Sequence, residues 1–125
     1  MIGKEILFKD LSYKIVGFAM DVHRQLGYGY LEKVYENAMM VLLHRGGIEA
    51  KQQHPVLVHF EGVVVGNYVA DILVHDSIIL ELKSMDRITD VHRAQTLNYL
   101  KATGLRLGII LNFGKTRLEQ ERLVL

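Results

Sequence analysis

The stretch VADILVHDSIILELK, residues 69–83, has the pattern of two short apolar strands joined by a tight turn. Apolar residues dominate on both sides of His75-Asp76-Ser77, which predicts a β-hairpin. One acid interrupts each strand, Asp71 in the first and Glu81 in the second. Acidic residues are depleted inside strands, and burying a carboxylate is costly unless it is paired or binds a metal. This stretch therefore indicates both a sheet and a candidate site on it.

The length of the turn decides whether the two acids meet. With a three-residue loop, Asp71 lies opposite Glu81 on one face, with Cβ atoms about 4.5–5.5 Å apart. Lys83 projects on the same face as Glu81, because side chains alternate along a strand. A divalent cation between the acids, together with Lys83, would relieve their repulsion. Two alternatives stay open: a structural salt-bridge patch, and a two-residue loop that places Asp71 opposite Leu80 instead.

Helical patterns flank this hairpin. Apolar spacings of three and four predict helices over residues 10–26, 31–45 and 90–103. Asp10 is the expected N-cap of the first helix, Thr89 or Asp90 that of the third, and glycine follows each helix as a stop signal. The predicted inner face of the second helix consists of Val34, Ala38, Val41 and Leu42.

Apolar runs predict the strands 56–60, 63–74, 78–83 and 107–113. Pro55 favours an edge position or a strand start, and Gly66-Asn67 predicts a bulge or a bend in the second strand. The continuous run at 107–113 is typical of a strand buried on both faces. The tail, 118–125, fits a helix turn or a short strand. The order α-α-β-β-β-α-β predicts an α/β (α+β) fold with a mixed sheet flanked by helices.

Length and composition exclude several classes of protein. The 125 residues predict a single domain, 1–125. The absence of cysteine excludes a disulfide framework, a thiolate zinc site and a cysteine nucleophile. A net charge of +1 argues against non-specific coating of nucleic acid. The charged N-terminus, MIGKEILFKD, has no signal-peptide core and no apolar run is long enough to span a membrane, so a cytoplasmic location is expected.

A second cluster opens the second predicted helix. The segment GYLEKVY, residues 29–35, places Glu32 in the first helical turn and Tyr35 three residues later on a neighbouring face. Taken alone, Glu32 is explained by the helix macrodipole, which favours an acid there by roughly 0.3–1 kcal/mol.

A third cluster lies on the third predicted helix. Gln95 and Tyr99 are four residues apart and share one stripe, which faces either solvent or a polar substrate lying over the sheet. Arg93 belongs to a basic stretch between residues 83 and 106, where five basic residues stand against two acids. This local excess is enough to help seat a phosphate backbone, although it is not diagnostic.

Together these clusters resemble a known pattern. Asp71 followed by Glu81-Leu82-Lys83 resembles the D…(D/E)xK signature of the PD-(D/E)XK nuclease superfamily. Gly29-x-x-Glu32-x-x-Tyr35 resembles the motif that names the GxxExxY proteins, a group placed in that superfamily. Gln95-x-x-x-Tyr99 is similar to the Q-x-x-x-Y element of its RecB-type exonuclease branch. The resemblance covers about residues 11–113.

The resemblance implies a restriction-endonuclease-like fold and a nuclease that uses Mg²⁺ or Mn²⁺ to hydrolyse DNA. Ala70 replaces the proline of the signature, a position that is often relaxed. The implied metal ligands are Asp71, Glu81 and the Leu82 carbonyl, with Glu32 as an additional acid. Lys83 would orient the attacking water and stabilise the developing charge. The expected substrate contacts are Gln95, Tyr99, Tyr35 and Arg93.

Two other functions stay open at this stage. One is a non-catalytic nucleic-acid-binding module that retains the fold, and the other is an interaction protein whose first helices form a partner surface. The joint presence of Asp71, Glu81 and Lys83 favours catalysis, because a binding module needs no paired acids. A homodimer is also expected, since a domain of this size often needs a second copy to hold duplex nucleic acid.

Overall fold

A computed structural model describes residues 8–125 of the chain. Part of the N-terminal segment used for the signal-peptide prediction, residues 1–7, lies outside the described residues. The described elements are, in order, α1 (Lys9–Leu26), α2 (Glu32–Arg45), β1 (Ala50–Phe60), β2 (Val63–Val74), β3 (Ile78–Lys83), α3 (Asp90–Thr103), β4 (Leu107–Asn112) and β5 (Glu119–Val124). None of the helices in this part of the chain is both long and apolar enough to cross a membrane.

The strands form one mixed sheet in the order β1-β2-β3-β4-β5. Neighbouring strands are antiparallel except β3 and β4, which run parallel because α3 provides the crossover between them. This confirms the predicted mixed sheet flanked by helices. The tail, which fitted either a helix turn or a strand, forms β5 and pairs with β4 from Asn112 opposite Glu119 to Leu107 opposite Val124. The predicted order therefore gains one strand.

The helices cover both faces of the sheet. One core cluster joins α1 and α2 to Ile78, Leu80 and Leu82 of β3, and a second joins α3 to Ile79. Because side chains alternate along a strand, Glu81 and Lys83 share the α3 face with Ile79. Strand β4, which lies between β3 and β5, is buried along its whole length, as its continuous apolar run predicted.

The buried face of α2 is displaced by about one residue from the predicted stripe. The predicted face was Val34, Ala38, Val41 and Leu42, whereas the buried residues are Tyr35, Glu36, Met39 and Leu43. Val34 and Val41 are 39% and 48% exposed, so this part of the prediction was wrong. The physical reason is Tyr35, whose ring stacks on Phe113 with centroids 4.5 Å apart and turns the helix toward the core.

The ends of the helices and the irregular strand positions agree only in part with the sequence patterns. Thr89 is the N-cap of α3, as predicted, but Phe8 and not Asp10 precedes α1. Pro55 lies inside β1 and not at its start, which an edge strand tolerates because the missing N–H breaks no ladder. β2 runs unbroken through Gly66, and the register shift leaves Val65 as the extra residue of a bulge.

The turn after β4 packs directly on the segment that leaves β3 after Lys83. The fully buried Asn112 accepts the Met85 N–H through Oδ1 at 3.1 Å and donates from Nδ2 to the Met85 carbonyl at 3.0 Å. A Cβ at Gly114 would lie 2.1 Å from the Met85 nitrogen. The close approach of the two backbones therefore requires glycine at position 114.

Gly114→Ala is expected to lower the free energy of unfolding by about 1–3 kcal/mol, because the added methyl group must displace the backbone at Met85. Gly17→Ala is the matched control: Gly17 lies in α1, and its Cβ position meets nothing within 4 Å. That substitution should raise the free energy of unfolding by about 0.5–1 kcal/mol through helix propensity. Urea unfolding of both variants measures the difference, and equal effects would contradict the packing argument.

Candidate active site

The β2–β3 hairpin has the three-residue turn that brings the two acids together. Its backbone ladder ends at Ile72 opposite Leu80, which is the register of the three-residue alternative and not of the two-residue one. At the next pair of residues, Asp71 and Glu81, side-chain carboxylates replace backbone carbonyls as the hydrogen-bond acceptors. The Asp71 N–H donates to Glu81 Oε2 at 2.9 Å, and the Leu82 N–H donates to Asp71 Oδ2 at 2.8 Å. Each carboxylate thus satisfies a backbone donor that lies beyond the end of the ladder.

The two carboxyl groups lie in a poorly hydrated place. Glu81 is 3% exposed and Asp71 is partly buried. Burial, followed by the charge of Asp71, raises the pKa of Glu81 to about 8. Burial also raises the pKa of Asp71, while its hydrogen bond from Leu82 and the charge of Lys83 act in the opposite direction. The pair therefore provides oxygen ligands at a point where added positive charge would be strongly favoured.

Helix α3 lies over the acids and turns its polar stripe toward them, not toward solvent. Lys83 Nζ lies 3.5 Å from Gln95 Oε1. Tyr99 is 6% exposed, and burial followed by the charges of Glu81 and Asp71 raises the pKa of Tyr99 to about 12. The structure thus brings together the acid pair, Lys83 and the Gln95–Tyr99 stripe on the α3 face.

Glu32 is near this group but does not join it. Its charge raises the pKa values of both Asp71 and Glu81, yet the side chain is exposed and lines a cavity of about 590 Å³ with Ser84 and Met85. Within residues 8–125, no three His, Asp or Glu side chains are close enough to form a metal site on their own. Two carboxylates still fit Mg²⁺, which takes oxygen ligands and keeps several waters.

The sequence of residues 9–123 matches the family model of the PD-(D/E)XK nuclease superfamily. The chain belongs to this superfamily. An alkaline exonuclease from Laribacter hongkongensis has a similar fold (13% identity, TM-score 0.54, 74% of this chain and 55% of that chain). So does the protein SSO0001 (17% identity, TM-score 0.55, 74% of this chain and 50% of that chain). The chain spans about half the length of these two structures. No curated protein is significantly similar to it.

Tyr35 lies in the core of this superfamily member and not on its surface. The side chain is fully buried, its hydroxyl donates to the Gly27 carbonyl at 2.7 Å, and it accepts the Tyr30 N–H at 3.2 Å. Ser84 Oγ donates to the Tyr30 carbonyl at 2.8 Å. The expectation that Tyr35 contacts substrate is therefore corrected: the ring anchors the loop that leads into Glu32.

Arg93, which was also expected to contact substrate, is held by two acids of its own chain. Its guanidinium donates from Nη1 to Asp90 at 2.7 Å and from Nε to Glu121 of β5. The pair with Glu121 joins α3 to the edge strand β5, whereas the pair with Asp90 lies within α3 itself. In this member of the superfamily, a phosphate would have to compete with both carboxylates for Arg93.

Glu36 is an acid near the site that the sequence patterns did not indicate. It is buried and accepts hydrogen bonds from Gln52 at 2.6 Å, Gln53 at 2.9 Å and Lys33 at 3.0 Å. Its charge raises the pKa of Asp71. Gln53 adopts the left-handed region, φ 54°, between the β1 positions that pair with Ile72 and Ala70. The sequence does place the charged Glu36 beside Tyr35 on α2. That position points to the site only once the rotation of the helix is known.

The raised pKa of Glu81 predicts a specific pH dependence for this superfamily member without metal. The folded state binds the Glu81 proton more tightly than the unfolded state, so the stabilisation is complete below the ordinary value of 4.5 and is lost as the pH rises through about 8. Glu81→Gln should remove this loss and raise the free energy of unfolding at pH 8.5 by about 1–3 kcal/mol.

The measurement is urea unfolding between pH 5 and 9 in the presence of a chelator. Glu49→Gln, which removes an exposed carboxylate, is the control and should leave the wild-type pH dependence in place. Parallel pH profiles for the wild type and Glu81→Gln would contradict the buried-acid explanation.

Proposed function

We propose that this protein is a divalent-metal-dependent nuclease that hydrolyses phosphodiester bonds in DNA. The observation that carries the proposal is the exchange of hydrogen bonds between Asp71 and the Glu81-Leu82 segment, with Lys83 two residues further on the same face. Membership of a superfamily of nucleases that generally depend on a divalent metal supports it. A cytoplasmic location and a homodimer are part of the same proposal.

The residues that would hold Mg²⁺ are Asp71, Glu81 and the Leu82 carbonyl, with Glu32 acting through water. In a strand, the N–H and C=O of one residue point to the same side, and the Leu82 N–H points at Asp71. The Leu82 carbonyl is therefore directed toward the acids as well. When bound, the metal supplies a water of lowered pKa that can attack phosphorus in line.

The remaining polar groups of the α3 face have separate tasks in this proposal. Lys83 places its ammonium beside the acids and would hold the attacking water and the phosphoryl oxygens. Gln95 and Tyr99 would orient the substrate strand. The Tyr99 hydroxyl is protonated at neutral pH, as any tyrosine with a pKa of 10 or above is, so that it can donate a hydrogen bond to phosphate.

We also propose that the chain is one of the GxxExxY proteins. Each of the three motif positions has a physical task that supports this assignment. Gly29 adopts φ 110°, which L residues with side chains rarely do. Tyr35 anchors the loop through its hydroxyl, and Glu32 begins α2 with its charge directed at the acid pair.

A non-catalytic nucleic-acid-binding module is the second candidate function. The observation that favours it is the separation of Glu32 from the pair, since no three acidic or histidine side chains converge among the described residues. In that case the raised pKa of Glu81 would persist in the presence of Mg²⁺, and no cleavage would be seen.

Cleavage assays distinguish the two candidates. Purified protein is incubated with labelled single-stranded, linear and circular DNA, with Mn²⁺, with Mg²⁺ and with chelator. Lys83→Ala is expected to reduce the rate about 10²-fold or more, because it removes charge stabilisation in the transition state. Lys14→Ala, on the exposed surface of α1, is the matched control and should cleave at the wild-type rate. Equal rates for both variants would refute the assignment of Lys83.

Metal binding can be measured without cleavage. Mg²⁺ or Mn²⁺ at about 100 times its dissociation constant should stabilise the folded state by about 2.7 kcal/mol, seen as a rise in Tm. Asp71→Asn should abolish the rise, since it removes one of the two carboxylates that face each other. Glu49→Gln serves as the control, and a metal-induced rise that survives in Asp71→Asn would place the metal elsewhere.

A further inference from the structure

A groove of about 890 Å³ runs between the β1–β2 hairpin and α3. Its walls are mostly apolar and aromatic, and they include Leu57, His59, Val65, Tyr68, Ala94 and Lys101. Gln95 and Tyr99 also line it, so the groove opens onto the same side chains that stand beside the acid pair. A molecule lying in the groove would therefore contact the side chains that adjoin the acid pair, although Asp71 and Glu81 do not line the groove themselves.

Tyr68 presents an aromatic surface in this groove. Its side chain is 50% exposed, although it belongs to a strand, and its ring lies 5.9 Å from that of Tyr99 at a tilt of 44°. The space for the Tyr68 ring depends on Gly66: a Cβ at that position would lie 3.0 Å from the ring and 3.3 Å from Val58. The missing side chain at position 66 thus allows the Tyr68 ring to lie over the strand.

The charge of the groove suits a polyanion. Among the described residues that line it there is no acid, and Lys101 supplies a cation from α3. The cavity on the Glu32 side is different, because two acids, Glu32 and Asp86, line it against one cation, Lys33. A nucleic-acid strand that reaches the acid pair would meet less repulsion along the groove than along that cavity.

We propose that this groove binds the unpaired bases of a single nucleic-acid strand and guides the strand to the acid pair. The proposal rests on the proposed nuclease function and narrows its substrate to nucleic acid with an unpaired segment. The flat faces of bases stack on aromatic side chains without regard to sequence, and this is how many single-strand binding proteins hold their ligand. In a duplex the same faces are covered by neighbouring bases, so Tyr68 could not reach them.

The test is a binding titration in chelator, where no metal is present to support cleavage. The probe is a short DNA single strand containing 2-aminopurine, whose fluorescence falls when the base stacks and is free of tryptophan background because the chain has none. Tyr68→Ala should weaken binding about tenfold and abolish the fluorescence change. Tyr68→Phe, which keeps the ring, should retain both. A duplex of the same sequence should bind at least about tenfold more weakly than the single strand.

Tyr13→Ala is the matched control, because Tyr13 is 82% exposed on α1. It should bind the probe like the wild type. Equal binding of duplex and single strand, or an unchanged titration for Tyr68→Ala, would overturn the proposal. So would a dimer in sedimentation that Leu57→Asp dissociates while leaving strand binding intact, since a second copy would then occupy the groove.

Failure of this proposal and failure of the nuclease function have different signatures. Metal-dependent cleavage that is lost in Lys83→Ala, combined with unchanged binding by Tyr68→Ala, rejects the groove alone. Stacking that depends on Tyr68, without cleavage under any metal condition, rejects the nuclease function and leaves a single-strand binding module.

Discussion

The site depends on one constraint, the three-residue turn that fixes the register of β2 against β3. His75 and Asp76 adopt left-handed backbone angles, φ 53° and 51°, and the Ser77 N–H closes the turn on the Val74 carbonyl at 2.9 Å. Because the side-chain period of a strand is two, a slip of one residue would turn Glu81 onto the opposite face of the sheet. The turn therefore determines whether the two carboxylates meet, although they lie several residues away from it along each strand.

The acid pair opposes the stability of the fold that carries it. Two carboxyl groups share a poorly hydrated place, and further acids of α2 add to the repulsion, with Lys83 as the nearby cation acting against it. A core built for stability alone would place apolar residues there, as it does at the neighbouring Ile79. Sites where local rules of burial are broken, while the surroundings remain well packed, are where function is expected. The buried acids therefore indicate a functional site, whereas the charges on the surface do not.

Sequence patterns came closest where the determining interactions are local. They left two registers open for the hairpin and two N-caps for α3, and the structure adopts one of each pair. The continuous apolar run predicted the burial of β4 directly. The rotation of α2 could not be predicted in this way, because it depends on the contact of Tyr35 with Phe113, more than seventy residues away. Glu36 was missed for the same reason, since Gln52 and Gln53 lie on another element. The tail has a run of polar residues at 119–122 followed by apolar residues at 123–125, a pattern typical of neither element, and it becomes a strand through pairing with β4.

The surroundings of the acid pair differ on its two sides, and in the proposed nuclease this difference would decide which parts of a bound strand lie on each side. On one side, α2 presents Glu32 and the loop anchored by Tyr35; on the other, the hairpin and α3 present apolar and aromatic surface. Phosphates are repelled by acids, whereas bases gain from stacking on aromatic rings. If a strand binds here, its bases belong on the Tyr68 side, and the scissile phosphate belongs between that surface and the carboxylates. Lys83 contacts Gln95 at the groove end of the site, and its charge acts on both acids, so it is the cation placed to meet that phosphate.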